Sequence, residues 1–260
     1  MSLKLVSLAS GSKGNATLIL SDSTALLVDA GISFSRLTQE LRRFGLSPSK
    51  LDGVVITHEH TDHVCALPRL GKCTRVFAHP LTACAIYERA GELCGYCEQE
   101  FYEGGFTVGD IEVVPFRIPH DAAYPLGYSF RLGNGAQVSV ATDMGRPTVG
   151  VFNNIRESEV VLLESNHDVD MLKNGPYPER LKRRILGDNG HLSNDMAAVF
   201  AERLAGTAVK NLVLGHLSQQ NNLPELAVGT VQGRLRQRGA DEICVGLALQ
   251  DCVSEVYEVK

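Results

Sequence analysis

Short apolar runs recur along the chain, and most of them end on a polar residue. Leu3–Leu8 and Thr17–Leu20 read as strands on either side of the turn-rich stretch Ser10-Gly11-Ser12-Lys13-Gly14-Asn15. Ala25–Val28 reads as a third strand and stops at Asp29-Ala30-Gly31. The period then changes. Phe34, Leu37, Leu41 and Phe44 recur at three- and four-residue steps, which predicts a helix, and Gly45 stands where a helix stop belongs. Val54–Ile56 predicts a buried strand. In the middle of the chain, Phe106–Val108 and Ile111–Phe116 flank the hairpin signal Gly109-Asp110, and Tyr128–Leu132 and Gln137–Ala141 flank a loop containing Asn134-Gly135. Further on, Val160–Leu163 and Leu212–Leu214 predict strands. Tyr177–Leu186, Asn194–Leu204 and Leu223–Arg238 predict helices, and Ile243–Leu249 with Val253–Val259 a closing pair of strands. Strands followed by helices, twice over, predict an α/β (α+β) chain of two sheets with helices outside them, in one domain over 1–260.

Composition narrows the function classes. The chain has 260 residues, 25 Lys+Arg and 30 Asp+Glu, for a net charge of −5. Hydrophobic residues make up 44%, enough to fill a sizeable core. No apolar run approaches the ~18–20 residues of a membrane span, so no membrane association is expected. Met1–Ser10 lacks the cleavage site of a secretory signal. The acidic balance argues against capture of nucleic acid by broad phosphate neutralisation, yet leaves room for a local basic strip. Seven scattered cysteines suit reduced thiols in a cytoplasmic protein. Cys94 and Cys97 are the one tight pair. Without a second pair they read as ordinary thiols, with an extra metal or redox site as the alternative.

The chemistry concentrates directly after Val54–Ile56, in Thr57-His58-Glu59-His60-Thr61-Asp62-His63. In extended backbone His58 and His60 point the same way and can reach one ion. Asp62 and His63 fall where a helix starts, which turns them toward a second position. Imidazole with carboxylate suits Zn²⁺, Fe or Mn²⁺. Other strands end on candidates of the same kind: His120 in Pro119-His120-Asp121, Asp143 in Thr142-Asp143-Met144-Gly145, and His216 in Gly215-His216-Leu217-Ser218. A rigid sheet presents a site on loops in this way.

Taken in order with Asp29, these residues resemble the motif series of the metallo-β-lactamase superfamily over essentially the whole chain. The resemblance implies a four-layer αββα sandwich of two mixed sheets with outer helices. It implies two divalent metal ions, Zn or Mn with Fe as a further option. His58, His60 and His120 would hold one ion, Asp62, His63 and His216 the other, and Asp143 would bridge them. Asp62 and Asp29 join the catalytic set, Asp29 as the residue that holds the histidine loop in place.

Gly190-His191-Leu192-Ser193-Asn194, ahead of the last ligand histidine, resembles the ribonuclease Z and phosphodiesterase branch of that superfamily. There the counterpart of His191 meets the phosphate as proton donor or electrostatic stabiliser, and Glu164 resembles its acidic partner. Gly11–Asn15, Pro119–Ala122, Glu164–Asp168 and Gly175–Pro178 are similar to the YycJ/WalJ group of bacterial metallo-β-lactamase proteins. That similarity implies a 5′→3′ exonuclease acting on DNA in preference to RNA, with water activated between the metals attacking phosphorus. The rival activity is hydrolysis of a small substrate, either a cyclic phosphodiester or a thioester, lactone or lactam. Substrate contacts are expected at His167, Asn166 and Lys13, the last in a loop able to offer backbone N–H groups to phosphate. A further contact is expected along Arg180, Arg183 and Arg184, which otherwise read as a solvated helix face. His79 reads as structural, and a homodimer is compatible with the resemblance.

Overall fold

The computed structural model describes residues 1–90 and 105–260. Cys94 and Cys97 lie outside the described residues. The first sheet takes strands from the two ends of the chain. Its members are β1 (Leu3–Ala9), β2 (Ala16–Leu20), β3 (Ala25–Val28), β4 (Gly53–Val55) and β5 (Val76–Phe77), with helices α1 (Phe34–Arg42), α2 (Thr61–Val64), α3 (Leu67–Leu70) and α4 (Pro80–Ala90) between and after them. The second sheet begins with the meander β6 (Phe106–Val108), β7 (Ile111–Arg117), β8 (Leu126–Arg131) and β9 (Gln137–Ala141). It continues through α5 (Val149–Ile155), β10 (Val160–Glu164), α6 (Val169–Asn174), α7 (Glu179–Ile185), α8 (Asn194–Leu204), β11 (Asn211–Gly215), α9 (Pro224–Arg238) and β12 (Cys244–Leu247). Last comes β13 (Tyr257–Val259), which returns to the first sheet.

The sheets run β13-β1-β2-β3-β4-β5 and β12-β11-β10-β9-β8-β7-β6. Both are mixed, antiparallel through the hairpins and parallel where helices cross over. Three apolar layers separate four layers of structure. Leu5, Ile19, Tyr128, Phe130 and Val213 fill the space between the sheets. Leu37, Leu41 and Leu70 pack helices α1 and α3 onto the outer face of the first sheet. Phe200, Val231 and Leu235 pack α8 and α9 onto the second. This is the αββα sandwich that the sequence implied. The crossover strands β10 and β11 are covered on both faces, so they read as unbroken apolar runs rather than as alternation.

One expectation is corrected. Ile243–Leu249 and Val253–Val259 do not pair with each other. β12 runs parallel to β11, whereas β13 runs antiparallel to β1. An apolar run announces a strand, but its partner is set by the sheet edge that still has open hydrogen bonds. The helix predicted from Tyr177 starts at Glu179, because Pro178 occupies its N-cap in extended backbone. Helices α5 and α6 lacked a periodic signal but have caps: Thr148 accepts from Val151 N and Asp168 from Met171 N.

Phe130 is fully buried between the sheets. Phe130→Ala should cost about 3–5 kcal/mol of folding stability, measured by denaturant unfolding.

Candidate metal centre

Every strand that predicted a site residue delivers it to one edge of the sandwich. Asp29, Asp143 and His216 follow β3, β9 and β11, and their φ angles are 60°, 59° and 56°. Among the described residues these are the non-glycine positions with left-handed backbone. Such a conformation costs a side-chain-bearing residue of order 1–3 kcal/mol and persists only where its surroundings enforce it. Gly31 shows how closely the loops meet: a Cβ there would lie 1.6 Å from the Asp62 carbonyl oxygen.

Two donor sets converge. His60 Nδ1 lies 3.1 Å from His58 Nε2 and 3.3 Å from His120 Nε2. Asp143 Oδ2 lies 3.4 Å from His63 Nε2, and Asp143 Oδ1 lies 3.4 Å from His216 Nε2. Asp62 Oδ2 stands 3.6 Å from both His63 Nε2 and His216 Nε2. Asp143 Oδ2 and His216 Nε2 are buried without a hydrogen-bond partner. The ligand atoms of His58, His60 and His120 fall within 4.8 Å of one another, as do those of Asp62, His63 and His216, and Asp143 joins His58 and His63 in a third such group. Borderline nitrogen donors and carboxylates converging on buried, unsatisfied lone pairs fit divalent cations.

The other imidazole nitrogens are tied outward. His63 Nδ1 donates to Asp29 Oδ2 at 2.8 Å, and Thr57 Oγ1 donates to the same oxygen at 2.9 Å while lying 3.0 Å from His58 Nδ1. His120 Nδ1 donates to the Gly190 carbonyl at 3.1 Å. Glu164 Oε1 accepts from His216 Nδ1 at 2.9 Å and from His191 Nδ1 at 2.7 Å. Its Oε2 accepts from the backbone of Met144 and Leu192 at 2.7 and 3.1 Å. These bonds fix each ring's orientation and turn its other nitrogen inward.

Charge divides the centre. Burial pushes the pKa values of His58, His60 and His120 down. In the other half burial also opposes charge, but carboxylates outweigh it. Asp143, Asp29 and Asp62 hold His63 well above the usual range, and Asp143, Asp62 and Glu164 raise His216 to about 10. Glu164 resists its own burial, and its contacts with His191 and His216 lower it to about 2. That half of the centre is therefore built for positive charge.

The remaining expected residues separate. His191 stands at the rim with its side chain 16% exposed. Asn166 is buried behind His216 and donates to its carbonyl at 2.8 Å, so it braces a ligand rather than facing substrate. His167 is 1% exposed, neither ring nitrogen has a partner, and burial lowers its pKa to about 4. The loop around Lys13 does not form an anion nest. The N–H groups of Gly11, Lys13, Gly14 and Asn15 are all spent, on Asn15 Oδ1, Gln250 Oε1, and the Gly11 and Asp62 carbonyls. Arg184 is bound bidentately to Asp121, at 2.5 and 3.0 Å, and so fastens α7 beside His120. Arg180 and Arg183 are exposed on α7, and no carboxylate pairs with them among the described residues. Thr57, Ser10 and Asn15 were not anticipated. Ser10 Oγ accepts from His216 N at 2.8 Å, and Asn15 Nδ2 lies 3.1 Å from His63 Nε2. Thr57 adjoins the histidine motif in sequence, whereas Ser10 and Asn15 stand in the turn-rich loop after β1, away from every ligand along the chain.

Residues 24–217 match the family model described as the beta-lactamase superfamily domain, and the chain belongs to that family. It is similar to an exodeoxyribonuclease WalJ of Streptococcus pneumoniae, with 37% identity over 238 residues, 88% of this chain and 87% of that one. It is similar as well to an exodeoxyribonuclease YycJ of Bacillus anthracis, with 36% identity over 242 residues, 92% of this chain and 91% of that one. Among solved structures, the metallo-beta-lactamase fold protein YhfI from Bacillus subtilis covers 100% of both chains at 16% identity with a TM-score of 0.73. The short form of human tRNase Z covers 97% of this chain and 98% of its own at 19% identity with a TM-score of 0.64. These two support the fold.

Glu164→Gln has one acceptor oxygen; with it kept on the backbone N–H groups of Met144 and Leu192, the amide NH2 faces the Nδ1–H groups of His216 and His191 and loosens His216. Divalent-ion affinity should fall about 10–100-fold, measured by chelator competition.

Proposed function

We propose that this protein is a metal-dependent exodeoxyribonuclease that hydrolyses DNA from the 5′ end with two divalent ions, Zn or Mn. The observation that carries the reading is the Glu164 carboxylate. One oxygen of it holds both a buried donor of the centre, His216, and a rim histidine, His191. A hydrolase of thioesters, lactones or lactams needs the first arrangement and not the second. The names of the two bacterial relatives support DNA as the substrate.

His58, His60 and His120 would hold one ion, Asp62, His63 and His216 the second, with Asp143 between them. Bound there, the ions would supply Lewis acidity toward the phosphoryl oxygens and toward water. His191 has its Nδ1–H committed to Glu164, so its Nε2 is the atom left for substrate. With the anionic carboxylate behind it, a protonated ring can donate to the leaving oxygen or counter charge on the phosphoryl group. Asp29 and Thr57 keep the His58–His63 loop from rotating. Arg180 and Arg183 lie on the helix that Arg184 fastens to the rim, which suits backbone phosphates leading away from the centre. Among the described residues, five cysteines are free and exposed, Cys65, Cys73, Cys84, Cys244 and Cys252, which suits a reducing, cytoplasmic setting. No described helix is long and apolar enough to cross a membrane.

His60→Ala should lose bound metal and nuclease activity together. His191→Ala should keep its metal and lose about 10²–10⁴-fold in rate on end-labelled DNA; a fully active variant contradicts the phosphodiesterase reading. Replacing Arg180 and Arg183 with Ala should lower the slope of log binding constant against log salt by about 1 each, whereas a small-substrate hydrolase would be indifferent to both changes.

A further inference from the structure

An aromatic stack stands beside the centre and has no part in the chemistry above. Arg117 ends β7 opposite Leu126 at the start of β8, and the loop between them carries His120 and Asp121. Tyr124 stands at the foot of that loop. Its ring is parallel to the imidazole of His79, with 3.4 Å between centroids and 6° between planes. The Arg117 guanidinium lies over the Tyr124 ring, 3.7 Å from the centroid. At such short spacing His79 and Arg117 must take opposite faces. The foot of the loop is built firmly. Thr82 Oγ1 donates to the Tyr124 carbonyl at 3.2 Å, and Ala123 N donates to the Glu59 carboxylate at 3.0 and 3.2 Å. Glu59 stands between His58 and His60, so the stack is fixed to the same backbone as three donors of the centre.

We propose that Arg117, Tyr124 and His79 form a stacking subsite for a nucleobase of single-stranded DNA next to the bond being cut. The inference rests on the nuclease reading. Arg117 is exposed, and among the described residues no carboxylate lies within ion-pair distance of it. A guanidinium held over a ring on one side leaves its other side for a base and its N–H groups for phosphate. Tyr124 and His79 are half-buried, so they hold that cation at a fixed height. Stacking accepts any base, because every base has a π face, and an enzyme that removes successive nucleotides needs that tolerance. A stack that served only as a staple for the loop would need the rings but not an unpaired exposed cation over them.

The chain has no Trp, so Tyr124→Trp introduces a single fluorescent reporter at the stack. With the metal-loaded protein and a phosphorothioate-linked single strand, that emission should be quenched on binding. In anisotropy titrations Arg117→Ala and Tyr124→Ala should each weaken binding about 10-fold, and Tyr124→Phe should restore it. An unquenched reporter, or alanine variants that bind like the wild type, overturns the subsite and leaves the nuclease reading intact. A Tyr124→Ala protein that loses its metal along with its binding also overturns it, marking the stack as a staple of the His120 loop. A wild-type protein that neither binds nor degrades the single strand contradicts the nuclease reading itself.

Discussion

The centre depends on how the outward nitrogens of its histidines are held. An imidazole presents a lone pair inward only if its other nitrogen keeps its proton, and a neighbour that accepts that proton decides the matter. Asp29, Thr57, the Gly190 carbonyl and Glu164 do this for His63, His58, His120 and His216. The acceptors come from the residue after β3, from the start of the histidine loop, from the segment before α8 and from β10. The four layers of the sandwich are therefore what bring ligand and acceptor together, and neither sheet can build the centre alone.

That arrangement has a cost, visible in the backbone and in the charges. Among the described residues, three that bear side chains adopt left-handed φ, each just past a strand, and all three stand at the centre. Asp29 and Glu164 are buried carboxylates, tolerable because each accepts several hydrogen bonds. Their surroundings pull them in opposite directions. Burial raises the pKa of Asp29 against the opposing pull of His63 and Thr57, whereas the pull of His191 and His216 on Glu164 wins. The apolar layers between and outside the sheets supply the rigidity that keeps such groups in place.

Much of this was legible in the sequence, for a physical reason. A ligand that must be held rigidly stands just past a strand, so the apolar runs pointed to His58, His120, Asp143 and His216. The braces were less visible. Thr57, Ser10 and Asn15 are small polar residues whose role lies in where their hydrogen bonds go, and that is settled only when distant loops meet. Lys13 stands out in the sequence as a charge, but its loop commits the amides of Gly11, Lys13, Gly14 and Asn15 to Asn15, Gln250, Gly11 and Asp62 and contributes through Asn15. Arg184 reads in the sequence as a substrate contact, whereas in the fold its guanidinium is held by Asp121. The two terminal strands read correctly as strands and wrongly as partners, because period-two patterning carries no information about which edge is open.

The central claim is tested most directly by which nitrogen of each histidine meets metal. Long-range ¹⁵N–¹H correlation of the imidazole rings in zinc-loaded protein reports this ring by ring. The account predicts coordination through Nε2 for His58, His63, His120 and His216 and through Nδ1 for His60. His216 or His63 bound through Nδ1, or left without a metal, would contradict it.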